Sequence, residues 1–377
     1  MTAEHVTSRS VDEREATGND AAQDDLGSAD HDSIGRAQRI ADEVLFPRAQ
    51  VVDRSSIPAS HFDALRQAGL FSLDGLSVGS SRRAMAAIAG GCGATFFVWV
   101  QHHGVVRTVA ASANVTLRTA TLPALLDGSI VAGTAFAHVR RTGSTAVRAT
   151  RVAEGWRLDG KAPWATSWGI AERFAVAATT DDGRMVWSML PGDGGPGVTA
   201  SVLALPVFSS TGTVEIGFDG AVVADADTIG VHGIDAWRAG DRRRASVGSP
   251  AILGVAARAI HLLRGAARTP DDPANRAAGR LTDELARRWE VDDEITARLA
   301  ALPDEDPSDD DGAVGAASRH RAACLDLGQR ATTALLAAVG GAGMDLSHPA
   351  QRLAREASFY VIQAQTDDGR VAVLDSV

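Results

Sequence analysis

The chain has 377 residues, 45% hydrophobic and 22% charged, with a formal net charge of −10. That is the composition of a soluble globular protein, long enough for a substantial core in one large domain or two to three packed units. Cys92 and Cys324 exclude a disulfide framework, no His/Cys cluster has metal-ligand spacing, no basic stripe with interleaved aromatics supports nucleic-acid binding, and no apolar run approaches a membrane span.

Residues 1–33 carry a net charge of −7 and read as a disordered acidic tail. The start, MTAEHVTSRSVDEREATGND, lacks the basic and apolar stretches of a signal peptide, so a cytoplasmic location is expected. The run 304–311 adds six negatives, which leaves about +3 on the remainder. The body therefore keeps basic residues for an anionic ligand such as a phosphate.

A helix is expected from near Ile34, where Ala37, Ile40, Ala41, Val44 and Leu45 repeat at three-to-four spacing before Pro47. Ser60 reads as the cap of a helix from His61 to Ala68 that Gly69 ends. Residues 82–126 read as two or three buried helices. His102 and His103, in the aromatic stretch Phe96–His103, are candidates for an acid or base facing a pocket; histidines buried in a helix and bonded in the core are the favoured account of the same residues.

The pattern then changes from helical to alternating. Val147–Val152 and Trp156–Asp159 have a period of two, with Glu154-Gly155 and Asp159-Gly160 as turn dipeptides, so β-hairpins are expected. Trp164-Ala165-Thr166-Ser167 is placed at a hairpin tip. A ring beside small hydroxyl residues suits a flat ligand; an ordinary buried Trp beside a Thr-Ser turn accounts for the same residues. Further strands are expected at Phe174–Ala177, Met185–Leu190, Thr213–Phe218 and Val222–Asp225. The chain is helical again from Ser246, with helices at about 276–301 and 314–338 around a solvated acidic spacer. The boundaries expected are a tail at 1–33, a helical domain at 34–130, a β domain at 131–235 and a helical domain at 236–377.

Several of these stretches resemble the acyl-CoA dehydrogenase superfamily of flavoproteins, over roughly residues 36–377. Phe136-Ala137-His138 leading to Gly143-Ser144, followed by Gly160-Lys161-Ala162-Pro163-Trp164-Ala165-Thr166-Ser167, is similar to the family's flavin-contacting strands. Ile252–Ala256 resembles its first long C-terminal helix, with Gly254 as a close-packed glycine, and Gly340-Gly341-Ala342-Gly343 its adenine-contacting turn. The resemblance implies an α+β fold: an N-terminal helical domain, a central β-barrel-like domain and a C-terminal four-helix-bundle-like domain. It implies FAD, with FMN as the alternative, held by Phe136, Ala137, His138, Ser144, Trp164, Thr166, Gly340, Gly341 and Thr366.

Departures from the family pattern fall on the chemistry. Arg355–Thr366 lines up with the segment that carries the family's base, but Ala364 stands where the Glu would be. The alternative base position, ten residues before Gly254, is Arg244. With both carboxylates absent, His102, His103 and His138 remain as candidate catalytic residues. Three readings follow. The first is a flavin oxidoreductase acting on an acyl thioester such as acyl-CoA or on a related small molecule. The second is a reduced-FMN monooxygenase on the same fold, and the third a non-catalytic subunit that pairs with a paralogue. A homo-oligomer, dimer or tetramer, is expected from the family's shared site and the small-residue helix at 331–343.

Overall fold

The computed structural model describes residues 28–140, 147–266 and 291–376. The N-terminal helices are α1 (Ser28–Ile40), α2 (Ala49–Arg54), α3 (Ala59–Gln67), α4 (Val78–Gly91), α5 (Gly93–Ala110) and α6 (Val115–Leu126). α1 begins inside the segment read as a tail, and Asp30 and Ser33 on it are buried; residues 1–27 lie outside the described chain. α3 starts at Ala59, with Pro58 at its N-cap and no side-chain cap, so Ser60 does not serve as one. Gly69, at φ +71°, ends it as expected.

The strands are β1 (Ala132–Ala135), β2 (Val147–Val152), β3 (Gly155–Ala165), β4 (Arg173–Thr179), β5 (Arg184–Pro191), β6 (Val198–Val202), β7 (Val214–Ala224) and β8 (Thr228–Gly233). They run in the order β6-β7-β3-β2-β4-β5-β8, with β1 added parallel to β4. β4 is buried along nearly its whole length because it has two covered faces. Phe174, Val176 and Ala178 meet Leu158, Ile216 and Phe218 of β3 and β7 inside the curled sheet. Ala175 and Ala177, with Met185, Trp187 and Met189 of β5, meet Val105, Val106 and Val109 of α5. A strand with two apolar faces reads as a continuous run, as Phe174–Ala178 does.

Asp159-Gly160 is not a turn. β3 continues through it with a register shift against β7, Gly160 takes φ +119°, and Asp159 Oδ1 accepts from Gly220 N at 2.9 Å. A β-bulge uses the same residue types as a turn, which explains the misreading. Trp164 therefore sits at the end of a long strand and not at a hairpin tip.

The C-terminal helices are α7 (Ile234–Ser246), α8 (Pro250–Ala266), α9 (Val291–Ala300), α10 (Asp311–Val339), α11 (Pro349–Ile362) and α12 (Asp367–Leu374). Ile234–Gly265 is apolar and long enough to cross a membrane, yet 67% of its apolar window is buried in the fold, as a core helix pair is. α8 crosses α4 at glycines on both sides. A Cβ at Gly254 would lie 1.9 Å from Ala86 O, and one at Gly90 would lie 2.7 Å from Gly254 O. Only glycine permits that approach, which unites the N- and C-terminal helices in one core with Ile88, Ala89, Val255 and Leu327.

Candidate active site

β3 ends at a strained turn. Trp164 takes φ +63° and Ser167 φ +84°, conformations that side chains other than glycine rarely adopt. The turn is held by Ser167 N donating to Thr211 O and Trp168 N to Gly212 O, both at 2.9 Å. Those acceptors lie in a loop anchored by Phe208, which stacks on Phe97 at 5.5 Å and meets Phe359 edge-on at 4.7 Å. The result pushes the Trp164 ring outward. It is 49% exposed, and among the described residues no ring or cation stacks on it.

Beside it lies a chain of hydroxyls. Thr211 Oγ1 donates to Phe208 O at 2.7 Å. A hydroxyl has one proton, so in the 2.8 Å pair of Thr211 and Thr213 the donor is Thr213. In the 3.1 Å pair of Thr213 and Thr166 the donor is therefore Thr166. Thr166 Oγ1 is left as an acceptor. Thr134 on β1 bridges to Thr166, and its Oγ1, like that of Ser167, is buried without a partner. Gly133 permits this approach, since a Cβ there would lie 2.6 Å from Thr166 O.

The residues after β1 turn elsewhere. Phe136 packs on Trp187 and Trp237. His138 is buried and its Nε2 donates to Ala177 O at 2.8 Å. Arg140 forms a two-nitrogen pair with Asp241 of α7 at 2.7 and 2.9 Å. Ala137 is half-buried. Ser144 and Gly143 lie outside the described residues.

The three candidate histidines are core residues. His102 donates from Nε2 to Leu125 O at 2.9 Å and accepts at Nδ1 from Ala132 N at 3.1 Å, so both nitrogens are engaged and the ring is neutral. His103 stands edge-on to Trp99 at 4.5 Å. Burial pushes the pKa of His102 and His138 down to about 4 and that of His103 to about 3. None of the three is placed to take a proton from a substrate, so the assignment as catalytic candidates is withdrawn. The physical reason is that two of them complete backbone hydrogen bonds at the junction of helices and sheet.

Both positions where the resemblance puts a base come together. Arg321 of α10 is buried and donates from Nη1 to Ala245 O at 2.7 Å and to Ala364 O at 3.1 Å, and from Nη2 to Gln363 O at 2.5 Å. Ala245 is the neighbour of Arg244, so Arg244 and Ala364 border the same place. The nearby carboxylates are committed: Asp241 to Arg140, and Asp368 to Arg242 at 2.7 and 2.8 Å.

Thr366 Oγ1 caps α12 by accepting from Gly369 N at 3.2 Å, which accounts for that residue without a cofactor. Gly340, at φ +60°, and Gly341 are exposed at the end of α10. A buried pair missed in the sequence is Arg352–Glu356 on α11, at 2.6 Å with both side chains almost wholly enclosed. The acidic run is solvated as expected, and the structure adds ties that the sequence did not show: Asp304, Asp309 and Asp311 pair with Arg82, Arg243 and Arg242. Charge balance across the chain was the available signal, since the body is basic once this run and residues 1–33 are set aside.

No protein-family model matches the sequence, and no curated protein matches it. Solved structures do. Butyryl-CoA dehydrogenase from Megasphaera elsdenii superposes with a TM-score of 0.71 at 18% identity, over 93% of this chain and 97% of that one. The fold is that of the acyl-CoA dehydrogenase flavoproteins. The FMN-bound dibenzothiophene monooxygenase TdsC from Paenibacillus sp. A11-2 matches it with a TM-score of 0.68 at 19% identity, over 91% and 95% of the two chains. The FAD complex of PigA matches at 0.70 and 16%, over 93% and 98%. The acyl-CoA dehydrogenase fold thus appears with the expected layers: helices, a central sheet and helices.

A flat ring with a polar edge fits the residues at the end of β3. The outward Trp164 offers a face, and the unpartnered hydroxyls of Thr134 and Ser167 and the acceptor of Thr166 offer edge contacts. For the adenine half, the described residues include the Gly340–Gly343 turn, in which Gly340, Gly341 and Ala342 are exposed.

Proposed function

We propose that the chain is a flavin-dependent oxidoreductase in which Trp164, Thr166, Ser167 and Thr134 hold the isoalloxazine ring, and that it works through reduced flavin and oxygen on a small-molecule substrate. A bound flavin would supply two-electron chemistry, taking hydride when oxidised or passing electrons to dioxygen when reduced. The observation that carries the reading is the meeting of Ala364 with Ala245, the neighbour of Arg244, at the Arg321 guanidinium. Dehydrogenation of an acyl thioester needs a base at the α-carbon. Alanine offers none, and arginine stays protonated.

A second support is the proton direction in the threonine chain. Thr166 gives its proton to Thr213 and so offers a ligand only an acceptor, which suits the N–H at N5 of a reduced ring better than the lone pair of an oxidised one. FAD, with FMN as the alternative, is the flavin of this reading. The exposed Gly340–Gly341 turn fits a homo-oligomer in which a neighbouring chain completes that contact.

The test supplies reduced FMN or FAD from a separate reductase and follows oxygen uptake with candidate substrates. Substrate-stimulated oxygen consumption supports the reading. Anaerobic reduction of bound flavin by acyl-CoA esters would replace it with a dehydrogenase. Failure to bind either flavin would leave only the fold.

A further inference from the structure

Arg355 and Glu356 open the segment that lines up with the family's base, and both work on the loop from Pro206 to Thr213 that holds Trp164. Arg355 donates from Nη1 to Pro206 O at 2.8 Å, and its Nη2 pairs with Asp53 of α2 at 2.5 Å. Ser209 Oγ donates to Asp53 O at 3.2 Å, which ties the loop to α2 a second time. Glu356 is held by Arg352 at 2.6 Å. A Cβ at Gly93 would lie 2.7 Å from Glu356 Cδ and 2.8 Å from Phe208 Cε1. Carboxylate and ring thus close on the start of α5 at one point, which only glycine leaves open. One turn further along α11, Phe359 and Tyr360 meet the Phe208 ring edge-on at 4.7 and 6.3 Å.

The residue enclosed in this way is strained. Phe208 is buried and takes φ +58° and ψ 28°, the left-handed region. A bulky residue stays there only where its surroundings over-determine it, and α5 and α11 supply those surroundings. The turn that starts at Phe208 brings its carbonyl to Thr211 N at 3.1 Å and Thr211 Oγ1 at 2.7 Å. The Thr211 proton is thereby committed. Thr213 must then donate to Thr211, and Thr166 to Thr213. The acceptor that Thr166 offers is therefore decided at Phe208 O.

We propose that Arg355, Glu356 and Phe208 are positioning residues that set the redox preference of the flavin site: α11 holds the Phe208 turn, and the Phe208 carbonyl fixes the direction of the hydroxyl chain in favour of reduced flavin. They act through Thr211, Thr213 and Thr166. The inference rests on the seat proposed above for the ring and adds what selects the form of flavin held there. It also makes a claim about the flavin-free chain. Loosening the loop should free the amides of Ser167 and Trp168, which donate to Thr211 O and Gly212 O.

The test measures anaerobic dissociation constants of FMN and FAD in both redox forms, and hydrogen exchange of the flavin-free chain over residues 164–171. The parent should hold reduced flavin about 10-fold more tightly than oxidised flavin, the worth of one hydrogen bond. Arg355→Met releases Pro206, and Gly93→Ala drives a methyl between Glu356 and Phe208. Each should bring the two constants together and speed exchange at Ser167 and Trp168. Arg355→Lys, able to reach one carbonyl, should restore part of the preference. Asp53→Asn breaks the ion pair but leaves Pro206 tied, so it should keep the parent's preference even where it lowers the melting temperature. The Arg355 side chain is 21% exposed, so its variants should fold even if Gly93→Ala does not. Equal weakening of both redox forms, or faster exchange that extends to β8, would mean a structural role only and overturn the proposal. A parent that binds neither flavin would overturn the seat and this inference with it. A parent that binds flavin with the same preference in every variant would overturn this inference alone.

Discussion

Ala245 and Ala364 accept from the same nitrogen, Nη1 of Arg321, at 2.7 and 3.1 Å. Burial is the main cause that lowers the Arg321 pKa to about 10, with Arg140 adding, so it remains charged at neutral pH. The guanidinium closes the end of α7 onto the linker between α11 and α12 and so shapes the floor of the site. Arg321→Met should remove the donor of three carbonyls and cost about 3 kcal/mol or more. Arg321→Lys should recover only part of this, because an ammonium cannot reproduce the fork. Urea unfolding of the three proteins tests it; equal midpoints would show that the linker is held otherwise.

The buried histidines set an acid limit. His102 and His138 have pKa values near 4 in the folded chain against 6.5 as the ordinary value, and burial is the cause. The unfolded chain therefore takes up protons first as pH falls. Their contribution is complete above about pH 6.5 and is lost progressively toward pH 4. The urea midpoint should stay flat from pH 8 to about 7 and decline below that. His102→Gln, able to keep one backbone bond, should lower stability at neutral pH and reduce the slope between pH 6.5 and 4. An unchanged slope would mean that other groups govern acid unfolding.

Much of this architecture is legible in the chain. The switch from helical to alternating period located the β region, and the glycine at 254 announced the helix crossing that Ala86 O confirms. The Trp164–Ser167 stretch stood out through its resemblance to the family's flavin-contacting strands and not through spacing, which fits an ordinary buried Trp; the structure leaves that ring half exposed. What stayed hidden depends on pairing across sequence distance. Arg321 is one arginine among many until three carbonyls from two other segments converge on it. His102 looks catalytic by residue type, and only its bonds to Leu125 and Ala132 show a core role. The Asp159 bulge and a turn share one local signature, and the choice between them is made by β7.

Trp164 should be a ligand contact and not a core residue. Its ring is half exposed and its backbone is left-handed at φ +63°. Trp164→Ala should leave the unfolding midpoint within about 1 kcal/mol of the parent and weaken flavin binding by about 2 kcal/mol or more. Trp164→Gly should relieve backbone strain of about 1 kcal/mol while losing the same contact. Flavin fluorescence titration and thermal melts give both numbers. Undiminished flavin affinity in Trp164→Ala would place the ring elsewhere.

Thr213 should act as a positioning residue through Thr166. In Thr213→Val the hydroxyl of Thr166 loses the acceptor to which it now donates and can turn its proton toward the ligand. Binding of oxidised flavin should then strengthen relative to reduced flavin, by about 10-fold for one hydrogen bond. Dissociation constants for both redox forms, measured anaerobically, decide it. A general loss of affinity for both forms would indicate a structural role only.

The absent base gives the sharpest prediction. Ala364 stands at φ +52°, so a larger side chain there adds little backbone strain beyond what alanine already bears. The parent should not be reduced rapidly by any acyl-CoA under anaerobic conditions, since loss of a positioned base costs roughly 10²–10⁴-fold. Ala364→Glu alone should help only weakly. Arg321 lies beside the new carboxylate and also holds Ala245, the neighbour of Arg244; positive charge holds a carboxylate ionised but makes it a poorer base. Adding Arg244→Gln removes one of those charges, so the double variant should bleach bound flavin faster than the single one. Rapid bleaching in the parent would reveal a base elsewhere and end the oxygen-dependent reading. Bleaching in neither variant, with oxygen uptake retained when reduced flavin is supplied, would mean that the site does not take a thioester at all.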